Sequence, residues 1–167
     1  KEIPLVFGSS VGYETLEKYP GQKCHMITSQ DTVANYFLKT TGEDRLDMVS
    51  DAPTIAAVTL QLLHTLGFNP IILVGQNLAY RGQDRHSAGV DYSSAVTDQE
   101  RENGLWVKNV YGREVLTNEG FNMMRKQMEL YIKSFADCKV INTTKDGAAI
   151  EGSVFLELDK VIEVYLR

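Results

Sequence analysis

No apolar run in this chain approaches the ~20 residues that a helix needs to cross a bilayer, so a membrane-spanning protein is not expected. No amino-terminal stretch has the charged-then-apolar build of a secretion signal either. Lys1 is not a natural start, and the chain is expected to be a trimmed piece of a larger protein. Cysteine is scarce: Cys24 and Cys138 are far apart and form no C-x-x-C pair. That spacing excludes a disulfide framework and fits two reduced thiols in a cytoplasmic protein. The three histidines are scattered, and nothing has zinc-ligand spacing, so neither a metal site nor a cofactor is expected. Basic excess is also missing. Lys and Arg number 17 against 22 Asp and Glu, for a net charge of -5. With no basic stripe, a general affinity for nucleic acid is not expected.

What is there is a globular chain. Its 167 residues suffice for one α/β domain over positions 1–167 with a real core, and 43% hydrophobic content argues against disorder. No internal repeat, low-complexity run or linker interrupts it. "IPLVF" reads as a first strand, followed by the turn "GSSVG" and a weak helix over Tyr13 to Lys18. "KCHMIT" reads as a second strand. Asp31 is placed to cap the next helix, with Val33 and Phe37 on one face and Gly42 as its end. "SDAPTIAAVTLQLLHTLG" is the clearest helix, with Asp51 as N-cap, Pro53 in the first turn and Gly67 as the stop. Its stripe is Ile55, Val58, Leu62 and Leu66, and His64 falls off it as a structural histidine. The short apolar run Ile71 to Val74 fits an interior parallel strand, and truncating Ile72 there should open a cavity. "LWVKNVYGREVLT" predicts a hairpin about Gly112. Thr117 can cap a long helix from Asn118 to Ala136 striped by Phe121, Met124, Met128, Ile132 and Phe135, the methionines serving as core filler. "KVINTT" is another strand, "DGAAIEGS" a tight loop, and the last segment a strand passing into a helix.

Alternating strands and helices imply a mostly parallel sheet with helices layered on it, a three-layer, Rossmann-like arrangement. Such sheets bind ligands beyond the carboxyl ends of their strands. Two polar, glycine-bearing loops follow apolar strands and so fall at that edge: Gly75 to Tyr92, and Asn142 to Gly152. In the first, Gln76 and Asn77 each donate and accept hydrogen bonds. Tyr80 and Tyr92 carry phenols, Arg81 and Arg85 suit anions, and His86 is the best acid–base candidate. Asp84 and Asp91 either orient His86 or are simply solvated. In the second, Asn142, Thr143 and Thr144 present short polar groups, and Gly147 and Gly152 would let backbone approach a ligand. Against this stands the plainer reading of two wet turns. "GSSVG" lacks the lysine and spacing of a P-loop, and reads as a turn first and a phosphate site only with help from elsewhere.

The stretch "DAPTIAAVTLQLLHTLGFNPIILVGQNLAY", then "YGREVLTNEGF" and "INTTKDGAAIEGS", resembles the motility accessory factor family, with the blocks in the same order over most of the chain. That family is implicated in decorating flagellin with nonulosonic sugars such as pseudaminic acid. Its central domain is similar to bacterial sialyltransferases, which use CMP-activated sugars, and a related archaeal branch contains a pterin pyrophosphokinase. The resemblance implies a sialyltransferase-like fold, a CMP-linked sugar as donor and flagellin as acceptor, with no nucleic-acid or membrane partner; it leaves the oligomeric state open. It further implies that Tyr80 and His86 are catalytic, stabilising the leaving phosphate with Arg81. Gly75, Gln76, Asn77, Arg81, Asn142, Thr144, Gly147 and Ala148 would bind substrate. The chain departs from the pattern at three points. Asn77 stands where the family has an acidic residue, the early G-P-S-L loop is missing, and no histidine follows His86. These departures make the later portion of the domain the expected content, with little or no sugar transfer by this chain alone. A pterin pyrophosphokinase-like enzyme and a non-catalytic binding module remain the alternatives.

Overall fold

A computed structural model describes residues 3–40, 48–82 and 95–166. The chain forms two compact units, Lys1–Ala52 and Pro53–Arg167. Among the described residues, no helix is long and apolar enough to cross a membrane.

In the first unit, β1 (Leu5–Phe7) pairs in parallel with β2 (Lys23–His25), in a register that sets Leu5 against Lys23 and Phe7 against His25. A parallel pair needs a crossover, and α1 (Tyr13–Lys18) supplies it, with the bounds its sequence implies. Asp31 caps α2 (Thr32–Thr40) as expected, its Oδ1 accepting from the Ala34 amide at 3.3 Å. Val33 and Phe37 do lie on this helix, but both are exposed. The buried side chains here are Ile27 and Val49, beside the bridge between Thr28 and Val49. Gly42, read as the helix end, lies outside the described residues.

The second unit opens with α3 (Ile55–Thr65), and its start differs from the sequence reading. Thr54, not Asp51, is the N-cap: its backbone is extended and its hydroxyl accepts from the Ala57 amide at 3.2 Å. Pro53 therefore precedes the helix. Ala57, Val58 and Leu60 are buried, while Ile55 and Leu66 of the expected stripe face solvent. His64 is half-buried and stacks on Phe135 with ring centroids 4.0 Å apart, a structural role. Gly67, at φ +79°, closes the helix in a conformation that costs other residues strain.

β3 (Ile71–Leu73) follows and pairs in parallel with β6 (Val140–Asn142), which pairs in parallel with β7 (Val154–Phe155). The interior strand of this sheet is therefore β6, not β3, which among the described residues bonds on one side only. All three residues of β6 are buried, whereas Ile72 is only half-buried and Val74 is exposed beyond the strand. Between these strands lie α4 (Asp98–Glu102) and the expected hairpin of β4 (Leu105–Lys108) with β5 (Glu114–Thr117). α4 carries its own signature, a capping box in which Thr97 and Glu100 satisfy each other's amides. α5 (Glu119–Ser134) is capped by Asn118, whose Oδ1 accepts from the Phe121 amide at 2.7 Å; Thr117, expected as the cap, is instead buried in the core. Met128 and Ile132 of its stripe are buried. α6 (Leu158–Tyr165) ends the unit. Mixed elements with mostly parallel pairing make this an α/β fold.

The core load falls on β6. Ile141→Ala is expected to destabilise the chain by about 2–5 kcal/mol through cavity formation, and Ile72→Ala by less, in urea denaturation followed by circular dichroism.

Candidate functional site

The β3–β6 register sets Leu73 opposite Asn142, so the two strands end level and their following loops leave the same edge. The Thr143 amide donates to the Leu73 carbonyl at 3.0 Å and its hydroxyl to the same oxygen at 2.9 Å, carrying the pairing one step past the strand. The loops then touch. Ala148 N–H donates to the Asn77 carbonyl at 2.8 Å. A Cβ on Gly147 would lie 3.0 Å from that carbonyl oxygen and 3.2 Å from the Asn77 Cα. The absence of a side chain at Gly147 thus serves the approach of one loop to the other.

The first loop is held on a second side by the hairpin. Thr117 Oγ1 donates to the Leu78 carbonyl at 2.8 Å, and the Tyr80 amide donates to the Leu116 carbonyl at 2.8 Å. Gly75 at φ +75° makes the turn out of β3, and Leu78 at φ +50° holds a strained left-handed conformation that these bonds stabilise. The second loop is also tied to the hairpin, where Ala149 N–H donates to the Lys108 carbonyl at 2.9 Å. Arg125 and Glu129, an ion pair at 2.5 Å on α5, brace the same loop through the Ala149 carbonyl and the Glu151 amide.

The expected site residues divide into three groups. Gly75 and Arg81 are exposed, and Gln76 and Asn77 are half-buried, with no hydrogen bond from either amide side chain to a described residue. Gln76 also ends a groove of about 310 Å³ between α3 and β3, lined by Ile55, Thr59, Leu63, Ile72 and Val74. Tyr80, Gly147 and Ala148 are buried in the fold. The Tyr80 phenol accepts from Asn118 Nδ2 at 2.8 Å and its ring packs edge-on against Phe121. Asn142 and Thr144 form the third group. Asn142 Oδ1 accepts from the Thr144 amide at 3.0 Å, but Asn142 Nδ2 and Thr144 Oγ1 are buried and have no hydrogen-bond partner among the described residues. His86, Asp84, Arg85, Asp91 and Tyr92 lie outside the described residues.

Cys138 sits at the opposite end of the same strand pair, with its Sγ 3.6 Å from the Phe68 carbonyl oxygen, and burial pushes its thiol up. It is remote from the loops. In the first unit, Ser9 and His25 are hydrogen-bonded at 2.6 Å, a pairing that no spacing in the sequence announces because it depends on β1 and β2 running parallel.

Residues 1–83 match the family model described as 6-hydroxymethylpterin diphosphokinase MptE-like. The matched region includes α3, β3 and the loop through Gly82, and stops before the hairpin and the β6 loop. No curated protein and no solved structure matches the chain.

The close contact at Gly147 has a measurable consequence. Gly147→Ala is expected to cost about 1–3 kcal/mol, because its Cβ would press on the Asn77 backbone as well as on the Thr144 methyl. Thermal melting of the purified variant checks this.

Proposed function

We propose that this chain is the later portion of a group-transfer domain of the motility accessory factor type, the parent enzyme taking a nonulosonic sugar from a CMP-activated donor to a hydroxyl of flagellin. The observation that carries a ligand role for this edge is the pair of orphaned polar groups, Asn142 Nδ2 and Thr144 Oγ1, at the carboxyl end of β6. An unpaired buried donor costs about 1–3 kcal/mol, and such costs are retained where a ligand or an ordered water supplies the missing partner. The neighbouring loop adds the unengaged amides of Gln76 and Asn77, suited to sugar hydroxyls or a base edge, and the exposed guanidinium of Arg81.

In the transfer, the bond between the anomeric carbon and the CMP phosphate oxygen breaks, and negative charge gathers on the departing phosphate. Arg81 faces solvent at the loop's end, where it can meet that charge. Tyr80 keeps an O–H to donate while its oxygen accepts from Asn118. His86 completes the phosphate-holding set, six residues after Tyr80.

A second reading, a diphosphokinase acting on ATP and a pterin, is favoured by the description of the family model that residues 1–83 match. Asn77 stands where the family resemblance places an acidic residue, which leaves that reading one carboxylate short for Mg²⁺.

A thermal-shift panel separates the two. CMP and CMP-sialic acid are expected to raise the melting temperature, and ATP with Mg²⁺ and 6-hydroxymethylpterin to leave it unchanged; the reverse pattern selects the kinase reading. Thr144→Val sharpens the test. Removing an unpaired buried hydroxyl at constant shape is expected to stabilise the free chain by roughly 1 kcal/mol while weakening the CMP-induced shift. A variant that loses stability and binds CMP as before would remove Thr144 from the site.

A further inference from the structure

We propose that Ser9 and His25 form a phosphoryl-binding pair on the first unit, at the carboxyl ends of β1 and β2. Ser9 Oγ lies 2.6 Å from His25 Nε2. The imidazole also stacks on Phe7, with centroids 5.1 Å apart and planes 17° apart. That stack follows from the register, since Phe7 and His25 are direct partners across the parallel pair. An exposed histidine is ordinarily free to change rotamer, and this one is fixed from two sides while its edge stays open to solvent.

The loop that carries Ser9 is "GSSVG", which reads from sequence as a phosphate site only with outside help. His25 is that help, brought from sixteen residues away by the sheet. The loop turns on the Val11 amide donating to the Gly8 carbonyl at 3.1 Å, and the amides of Ser9 and Ser10 donate to no backbone acceptor among the described residues. With Nε2 engaged by Ser9 Oγ, the groups that can donate to a ligand are two hydroxyls and two amides, and the imidazole orients the Ser9 hydroxyl. When Nε2 carries the proton it donates to Ser9 Oγ and leaves the Ser9 hydroxyl hydrogen free for a ligand. A tetrahedral oxyanion with several acceptor oxygens matches such a set better than a single carbonyl does.

A nucleophile–base pair is the competing assignment for a serine beside a histidine. It requires a third group to orient the base through its far nitrogen. His25 Nδ1 has no hydrogen bond to a described residue, so the geometry favours binding over attack. One feature opposes an anion. The Glu14 carboxylate lies at the loop's far end, 3.3 Å from where a Gly12 side chain would begin. The pair is expected to bind weakly for that reason, with a dissociation constant of roughly 1–10 mM.

This inference does not rest on the proposed transferase reading, because its groups all lie in the first unit and its ligand needs no nucleoside. The test is a titration of the full chain with inorganic phosphate at constant ionic strength, followed by backbone amide and imidazole resonances. A parallel titration with glycerol phosphate extends the measurement to a phosphomonoester. Saturable shifts confined to Ser9, Ser10 and His25 are expected with either ligand. Ser9→Ala and His25→Gln should each weaken binding about tenfold, and Glu14→Gln should strengthen it. All three positions are exposed, and melting curves confirm that the variants fold. Absence of saturable shifts, or equal phosphate binding by the parent chain, Ser9→Ala and His25→Gln, would overturn the assignment.

Discussion

The parallel pairing of β3 with β6 is the constraint from which the second unit takes its form. It sets Leu73 level with Asn142 and therefore makes two distant stretches of chain leave the sheet at one edge. Parallel strands need long connections, and here the connection holds α4, the hairpin and α5. The hairpin and helix are thereby brought back onto the loops, where Thr117, Leu116 and Lys108 bind one or other of them. The burial of every residue in β6 supplies the apolar anchor for this arrangement, and the Thr143 bonds to Leu73 extend it into the loops.

Because the loops are bonded to each other and to the hairpin, this edge is a preorganised surface with a few open positions. Such positions divide by chemistry. Groups whose bonds are spent in the fold, such as the Asn77 carbonyl and the Thr117 hydroxyl, hold geometry. Other groups, the Asn142 Nδ2 and Thr144 Oγ1 among them, have no partner among the described residues, and these are the ones the proposed function assigns to a ligand. The strained backbone at Leu78 and the orphaned groups of Asn142 and Thr144 both lower stability, and they occur in the two loops that meet. Local conflicts of that kind are expected where function competes with stability.

Much of the fold was legible in the sequence because its signals are local. The bounds of α1, the hairpin, the β6 strand and the final strand-to-helix passage follow from short patterns of apolar and turn residues. The placing of the two loops on one edge also follows, since it needs only two parallel strands. What was not legible depends on tertiary contact. Asp51 and Thr117 are both good cap residues, yet Thr54 and Asn118 hold those positions, because a neighbour one to three residues away is equally competent and packing selects between them. β3 is as apolar as an interior strand, but its neighbours are set by the whole sheet, and the interior place goes to β6. Gly147 illustrates the same limit: its lack of a side chain reads from sequence as room for a ligand, whereas in the structure the close neighbour is the Asn77 backbone.

The proposed function requires that the edge formed by the β3 and β6 loops take a nucleotide. Hydrogen–deuterium exchange of the chain with and without saturating CMP measures it most directly, because it reads each loop separately. Slowed exchange is predicted in both 75–82 and 142–149, with β4 and the amino ends of β3 and β6 unchanged. Unchanged exchange in both loops, or protection found only elsewhere in the chain, would contradict it.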